Sequence, residues 1–190
     1  MGIGRHDRVV LFFGQIARYK GLQVLAAAFR RCLPQHKDYR LIVAGEPKPS
    51  YRQEMDRILT ELAPTGRLLC RVSHVADVKV EVLFRISDVV VLPCLETSQS
   101  GVLFLACAYG VPVVAPAIGG FPQDVLPGVT GQLFKTGDTQ DLAEKLAACA
   151  ADPLNAEMRA NIKRLVHQQT WEAVCAELEP VYRAALEGKR

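Results

Sequence analysis

Apolar and polar positions along this chain fall into a repeating block pattern, in which short unbroken apolar runs are followed by stretches whose apolar residues recur at helical spacing. The runs are Arg8-Val9-Val10-Leu11-Phe12-Phe13 before Gly14, Tyr39-Arg40-Leu41-Ile42-Val43-Ala44 before Gly45, Arg67 to Val72, and Asp88-Val89-Val90-Val91-Leu92 before Pro93. Val111-Pro112-Val113-Val114-Ala115 and the shorter Gly131-Gln132-Leu133-Phe134 complete the set. Each has strand length and most are stopped by glycine or proline. Runs that are apolar at consecutive positions fit a parallel sheet covered on both faces. Between them, Lys20 to Leu33 carries Leu22, Leu25, Phe29 and Cys32 on one helical face, and Ser50 to Ala63 reads as a second helix. Asp77 to Ile86 reads as a third, with Val78, Val82 and Phe84 or Ile86 as its apolar side. A helix starting near Ser100 stops at Gly110, and Gly137-Asp138 introduces another, capped by Asp138 or Thr139, with Leu142, Leu146 and Cys149 on one face.

Strands alternating with helices imply right-handed crossovers, so the fold class is α/β, a Rossmann-like doubly wound parallel sheet in three α/β/α layers. The last forty residues read as a helical tail. One helix starts at Pro153 and another at Thr170-Trp171, which carries Val174, Leu178, Val181 and Ala185 on one side and Pro180 as a kink or break. No repeat, low-complexity tract or Ser/Gly linker divides the chain. It reads as one domain, residues 1–190, with a core of about 8–150 and a tail of about 153–190.

The stretch between Glu96 and Asp124 holds no charged residue, which raises the question of a membrane helix. A span needs about 20 apolar residues in unbroken helix. Gly110, Pro112, Pro116 and Gly119-Gly120 would interrupt its hydrogen-bond ladder in a medium that cannot repair it, so the span is rejected. No signal-peptide pattern opens the sequence, and a soluble cytoplasmic domain is the expectation. The formal net charge of +3 is too small, and its cations too scattered, for a nucleic-acid surface. It permits a modest preference for anionic ligands. The six cysteines, Cys32, Cys70, Cys94, Cys107, Cys149 and Cys175, form no C-x-x-C pair, and are expected as reduced core thiols. No carboxylate pair or His/Cys cluster offers a metal site, and no cofactor is expected.

The chemistry is concentrated between Asp88 and Gly137. A buried strand runs into Glu96-Thr97-Ser98-Gln99-Ser100-Gly101, then a helix, then another strand, then the Gly119-Gly120 turn. The free amides of the helix's first turn and the positive end of its dipole make a resting place for a phosphate, and Gly101 lets the ligand come close. A dinucleotide oxidoreductase is disfavoured, because Gly2-Ile3-Gly4 precedes the first strand and no G-x-G-x-x-G follows it.

Taken together, Gly14-Gln15-Ile16-Ala17-Arg18-Tyr19-Lys20-Gly21, Asp88 to Pro93, Gln99-Ser100-Gly101-Val102, Gly110 to Val114, Gly119-Gly120-Phe121-Pro122 and Gly131 resemble the C-terminal domain of GT-B retaining glycosyltransferases of the group 1 (GT4) kind. The resemblance runs from about Val9 to Leu146 in order and spacing. It implies the half of a GT-B fold that binds a nucleotide-sugar donor, with UDP and GDP as the nucleotides in view. It also implies an N-terminal half supplying an acceptor site, the acceptor being a glycan, a lipid or a small molecule. Any membrane association would lie with that other half. Lys20 matches the family lysine that reaches the donor diphosphate. Arg18 is a shifted substitute for the family arginine, since Gln15 follows Gly14 directly, and the pair would act together on the leaving group. Gly14, Lys20, Ser98, Gln99, Ser100, Gly101 and Val102 would surround the diphosphate. Ser98 and Ala106 stand where the family carries paired glutamates, which leaves Glu96 as the candidate ribose or sugar contact. His74 would border the base through its backbone, ahead of the weaker His6, His36 and His167. Gly119, Gly120 and Gln123 are further candidates, Gln123 as a polar contact or helix cap. Trp171 is expected to pack its helix on the sheet or against the other half. A sugar-nucleotide epimerase of GT-B architecture and a degenerate nucleotide-binding module remain the alternatives.

Overall fold

Strands β1 (Arg8–Phe13) and β4 (Val89–Val91) lie side by side in parallel, with Val10 opposite Val89 and Leu11 opposite Val90. The computed structural model describes residues 2–152, 154–166 and 171–187, apart from the side chain of Trp171. On one side, β1 pairs along its whole length with β2 (Tyr39–Ala44), which pairs with β3 (Leu68–Arg71). On the other, β4 pairs with β5 (Val113–Pro116) and β5 with β6 (Gly131–Phe134). All six strands are parallel, in the order β3-β2-β1-β4-β5-β6. The chain winds outward from β1 in one direction, then crosses back to β4 and winds outward in the other. The crevice between β1 and β4 is therefore the switch point of the sheet, where open α/β folds receive ligands at the carboxyl ends of the strands.

Alternate strand residues feed two separate cores, as the pleat requires. Val10, Phe12, Leu41, Val43, Val89 and Val91 pack under α1 (Leu22–Cys32), α2 (Arg52–Leu62) and α6 (Thr139–Ala150). Val9, Leu11, Ile42, Ala44 and Val90 pack under α3 (Asp77–Arg85), α4 (Gly101–Ala108) and the short α5 (Phe121–Asp124). Apolar residues on both pleats of every inner strand are what demanded helices on both faces. At the start of α6 the Asp138 carboxylate accepts from the amides of Gln140 and Asp141, the capping expected there.

The tail begins with α7 (Leu154–Val166), which is tied to the amino ends of the strands. Buried Asn155 donates to the carbonyls of Asp88 and Cys149 at 2.8 and 2.9 Å, and Arg159 reaches the carbonyls of Ser87 and Gly110. Helix α8 (Trp171–Glu187) runs through Pro180 without ending, and Val174, Leu178 and Val181 on its apolar side are exposed. Pro180 thus does not break the helix, and the expected apolar face of α8 joins neither core. The expectations placed on Pro153, His167, Thr170 and the Trp171 side chain lie outside the described residues. No helix among the described residues is long and apolar enough to cross a membrane.

Two expectations need correction. In α3 the buried face is Leu83 and Phe84, whereas Val78 and Val82 are 81% and 50% exposed. Three similar valines and two larger side chains compete for the sheet in a helix of weak amphipathicity. The Phe84 ring decides it, meeting Phe13 edge-on at 5.2 Å and stacking on Tyr109 at 5.5 Å. Among the cysteines, Cys32, Cys94 and Cys149 are buried and Cys107 is half-buried, but Cys70 and Cys175 are exposed. Burial pushes the thiol of Cys32 up to about 11 and that of Cys149 up to about 12, so these two behave as small hydrophobes. The α3 assignment is testable by substitution. Leu83→Ala is expected to cost about 2 to 5 kcal/mol of unfolding free energy and Val82→Thr less than about 0.5 kcal/mol, read from denaturant midpoints. Equal losses would restore the valine face.

Candidate active site at the switch point

Past the end of β1 the backbone stays zipped to the turn after β2. The Gly14 amide donates to Ala44 at 3.0 Å, the Ile16 amide to Glu46 at 2.8 Å, and the Lys48 amide back to Ile16 at 2.8 Å. Gly14 has φ of +105° and Gly45 +146°, and the carbonyl of Gly14 occupies the space a Gly45 side chain would need. A 3-10 turn then spans Arg18–Lys20 and ends at Gly21, which has φ of +73° and forms the N-terminal boundary of α1.

Gly21 welds this turn to the exit of β4. A Cβ placed there would lie 1.8 Å from the carbonyl oxygen of Pro93, and the Leu95 amide donates to the Tyr19 carbonyl at 2.8 Å. Lys20 is thereby held beside the β4–α4 loop. Burial raises the pKa of the Cys94 thiol, and the Lys20 ammonium opposes that rise. On the far side of the same loop, the Gly120 amide donates to the Ser98 carbonyl at 2.8 Å. Gly119, with φ of +57°, comes against the Thr97 carbonyl where no side chain would fit. The Gly-Gly turn and the β1 turn together clamp residues 94–100.

That loop delivers the head of α4 to the crevice. Ser100 sits at the N-cap position with extended backbone, yet its hydroxyl caps nothing. The residue is 4% exposed, and its Oγ has no hydrogen-bond partner among the described residues. The amides of Ser100, Gly101 and Val102 have no acceptor among the described residues either. Gly14 faces this first turn directly, since its missing Cβ would stand 3.3 Å from Val102 Cγ2. The structure thus gathers Gly14, Lys20, Ser98, Gln99, Ser100, Gly101, Val102, Gly119 and Gly120 at one edge of the sheet.

Other candidates are placed differently. Arg18 points away, its guanidinium ion-paired with Glu54 of α2 in an open cleft shared with Gln53 and Arg57. Gln123 is exposed in α5 and caps nothing. It borders a separate apolar cleft of about 150 Å³ between α4 and α7, with Phe104 and Cys107. Glu96 is exposed on the β4–α4 loop, without an ion pair among the described residues. His74 is exposed and lines a cleft of about 250 Å³ with Phe13, Gly14, Gln15, Gly45 and Glu46, next to the β1 turn. Ala106 is fully buried in the core under α4. His6 is exposed, and His36 stacks on Tyr39 at 4.6 Å, far from the switch point. Among the described residues, no group of three or more His, Cys, Asp or Glu could hold a metal ion. Sequence reasoning passed over Lys48, which the β1–β2 zipper brings to Tyr19. Its Nζ lies 5.6 Å from that ring's centroid, and Lys20 Nζ lies 5.2 Å from the same centroid. The available signal was its place in the turn after a strand, on the same carboxyl edge as Gly14.

A family profile for glycosyl transferases group 1 matches residues 7–152 of this chain. The chain belongs to that family. The D-inositol 3-phosphate glycosyltransferase of Mycobacterium bovis is 32% identical over 194 residues, covering 98% of this chain and 39% of its own length. An Anabaena structure in complex with UDP and glucose superposes with a TM-score of 0.76 at 23% identity, over 95% of this chain and 48% of that one. The C-terminal domain of a group 1 glycosyl transferase from Francisella tularensis superposes with a TM-score of 0.77 at 20% identity, over 85% of each chain. This group 1 chain spans less than half the length of the curated relatives it matches. Its fold is one Rossmann-like half of a GT-B structure.

The weld between the β1 turn and β4 has a direct test in two glycines of similar φ. Gly66, at +64° with open space around it, should tolerate alanine at about 1 to 2 kcal/mol. Gly21→Ala must also push the Pro93 backbone aside, and should cost about 3 kcal/mol or more by denaturant unfolding. Equal costs would mean that the contact is slack.

Proposed function

We propose that this chain is the donor-binding half of a retaining glycosyltransferase, which moves a sugar from a nucleoside diphosphate to an acceptor hydroxyl. The observation that carries this reading is the buried Ser100 hydroxyl without a partner, set among unpaired amides at the head of α4. A buried polar atom left unsatisfied costs about 1 to 3 kcal/mol, and an anion seated there would recover it. The amides of Gly101 and Val102 add donors and the positive end of the helix dipole, and Lys20 adds an ammonium across the crevice. As the glycosyl–oxygen bond breaks, its electron pair goes to the diphosphate. Charge develops on the phosphate oxygens, where these fixed donors already point and need no reorganisation. The reading needs no metal and no organic cofactor from this chain.

The nucleoside would extend from the diphosphate toward the cleft beside Gly14, with the base against the backbone near His74. The UDP bound in the Anabaena relative supports uridine as the first base to test. With Ala106 buried and Ser98 lacking a carboxylate, Glu96 is the acid left to meet a ribose or sugar hydroxyl. The acceptor would be held by an N-terminal half facing this edge, in a cytoplasmic enzyme. That second half is where an acceptor of glycan, lipid or small-molecule type would be chosen.

Calorimetric titration of the chain with UDP, GDP and ADP tests the reading, and Ser100→Ala makes the test specific. Losing an unpaired buried hydroxyl should leave unfolding stability unchanged or higher by up to about 1 kcal/mol. The same change should weaken diphosphate binding roughly fivefold to tenfold, up to about 1.4 kcal/mol. Lys20→Ala should weaken it tenfold or more. Absence of saturable binding to all three nucleotides, or undiminished binding by both variants, would refute the donor site. If the chain joined to an N-terminal half binds donor but transfers nothing, the degenerate-module alternative holds.

A further inference from the structure

The donor-site reading supplies one lysine, whereas the resemblance implies a second cation, and the structure withholds the expected one. Gln15 occupies the position after Gly14, and the Arg18 guanidinium is engaged by Glu54 on α2. We propose that Lys48, on the turn after β2, is the second diphosphate-binding cation of this site, replacing the arginine that Gln15 cannot provide. The proposal rests on the donor-site reading and deepens it.

Three observations carry it. The first is placement: the Lys48 amide donates to the Ile16 carbonyl at 2.8 Å, and Pro47 pairs with Ile16 in an isolated parallel bridge. Lys48 therefore lies opposite Ala17, two residues along from Gln15, and its backbone is fixed to the β1 turn rather than free in a loop. The second is convergence. The ammonium groups of Lys20 and Lys48 arrive from different turns, yet both lie within 6 Å of the Tyr19 ring, at 5.2 and 5.6 Å from its centroid. Tyr19 itself is held by the Leu95 amide, so the platform belongs to the same weld that positions Lys20.

The third observation is charge. Neither lysine has a carboxylate partner among the described residues, although Arg18, two residues from Lys20, has one. Glu46, two residues before Lys48, is exposed and makes no ion pair among the described residues. Each ammonium gains little from the half-buried Tyr19 ring, and two like charges over one ring oppose each other. An arrangement of this kind stabilises an anion with several charges, and a diphosphate supplies them. A single phosphate seated on α4 would leave Lys48 without a role, whereas two phosphoryl groups in line can reach both. Lys48 is exposed and carries no packing, so removing its charge should leave the fold intact.

The experiment uses the 190-residue chain and whichever of UDP, GDP or ADP binds it most tightly, together with the matching nucleoside and inorganic pyrophosphate. Lys48→Gln is expected to raise the dissociation constant of the nucleoside diphosphate and of pyrophosphate roughly fivefold to tenfold. It should leave nucleoside binding and the unfolding midpoint unchanged, and Lys48→Arg should restore most of the loss. The salt dependence of diphosphate binding should also flatten in Lys48→Gln, because one cation fewer is involved. If the parent chain binds the diphosphate and Lys20→Gln weakens it while Lys48→Gln does not, the inference falls and the donor site stands. If the parent binds none of the three nucleotides, both fall. A Lys48→Gln variant whose nucleoside binding falls equally would place Lys48 at the base, which also overturns the proposal.

Discussion

Everything at this site depends on one close backbone approach, that of Gly21 to the carbonyl of Pro93 across the parallel β1–β4 pair. Parallel strands end at a common edge, so the turns that follow β1 and β4 emerge next to each other. Only a glycine at the start of α1 lets those turns touch. The Leu95-to-Tyr19 hydrogen bond then fixes their register, and Gly14 against Val102 repeats the contact one turn further out. Polar groups that come from distant stretches of sequence are thereby set side by side by the core of the sheet. At that edge the Ser100 hydroxyl and the first-turn amides of α4 are left without partners among the described residues, at a cost the surrounding packing offsets.

That arrangement divides labour within the edge. The α4 side supplies neutral, directional donors: the Ser100 hydroxyl and the first-turn amides. In the proposed donor site the β1 and β2 turns would add point charges on flexible stems, Lys20 and Lys48, able to follow a phosphate as its geometry changes. Arg18, the most conspicuous guanidinium of the β1 turn by sequence, serves instead to tie that turn to α2 through Glu54. An arginine already paired with a carboxylate is a poorer recruit for a diphosphate than a lysine with no ion pair among the described residues.

The strands and most helices were legible because their signals were strong and local. Val89-Val90-Val91 could hardly be anything but a buried strand, and Asp138 capped α6 as its type and place indicated. The close backbone approaches at this edge were legible for a related reason: Gly14, Gly119 and Gly120 stand where a side chain would press on a neighbour. What failed to show was whatever depends on competition between similar choices. In α3, helical spacing grouped Val78 and Val82 with Phe84 or Ile86, and only the rings of Phe13 and Tyr109, remote in sequence, set Phe84 against the sheet and left those valines exposed. The placement of Arg18 was hidden for the same reason, since Glu54 on α2 cannot be inferred from the residues beside it, and neither can the Ile16–Pro47 bridge that fixes Lys48. The apolar side of α8 was readable as a face, but its exposure was not.

The central claim is that the head of α4 and the lysine after β1 close on one diphosphate. Amide chemical-shift mapping of the isotopically labelled chain during a UDP titration tests it most directly. The account predicts that the largest shifts fall together, with one midpoint, on Gly14, Lys20, Ser100, Gly101 and Val102, while the α4–α7 cleft around Phe104 and Leu165 stays silent. Shifts confined to that cleft, or a perturbation of the β1 turn without α4, would contradict it.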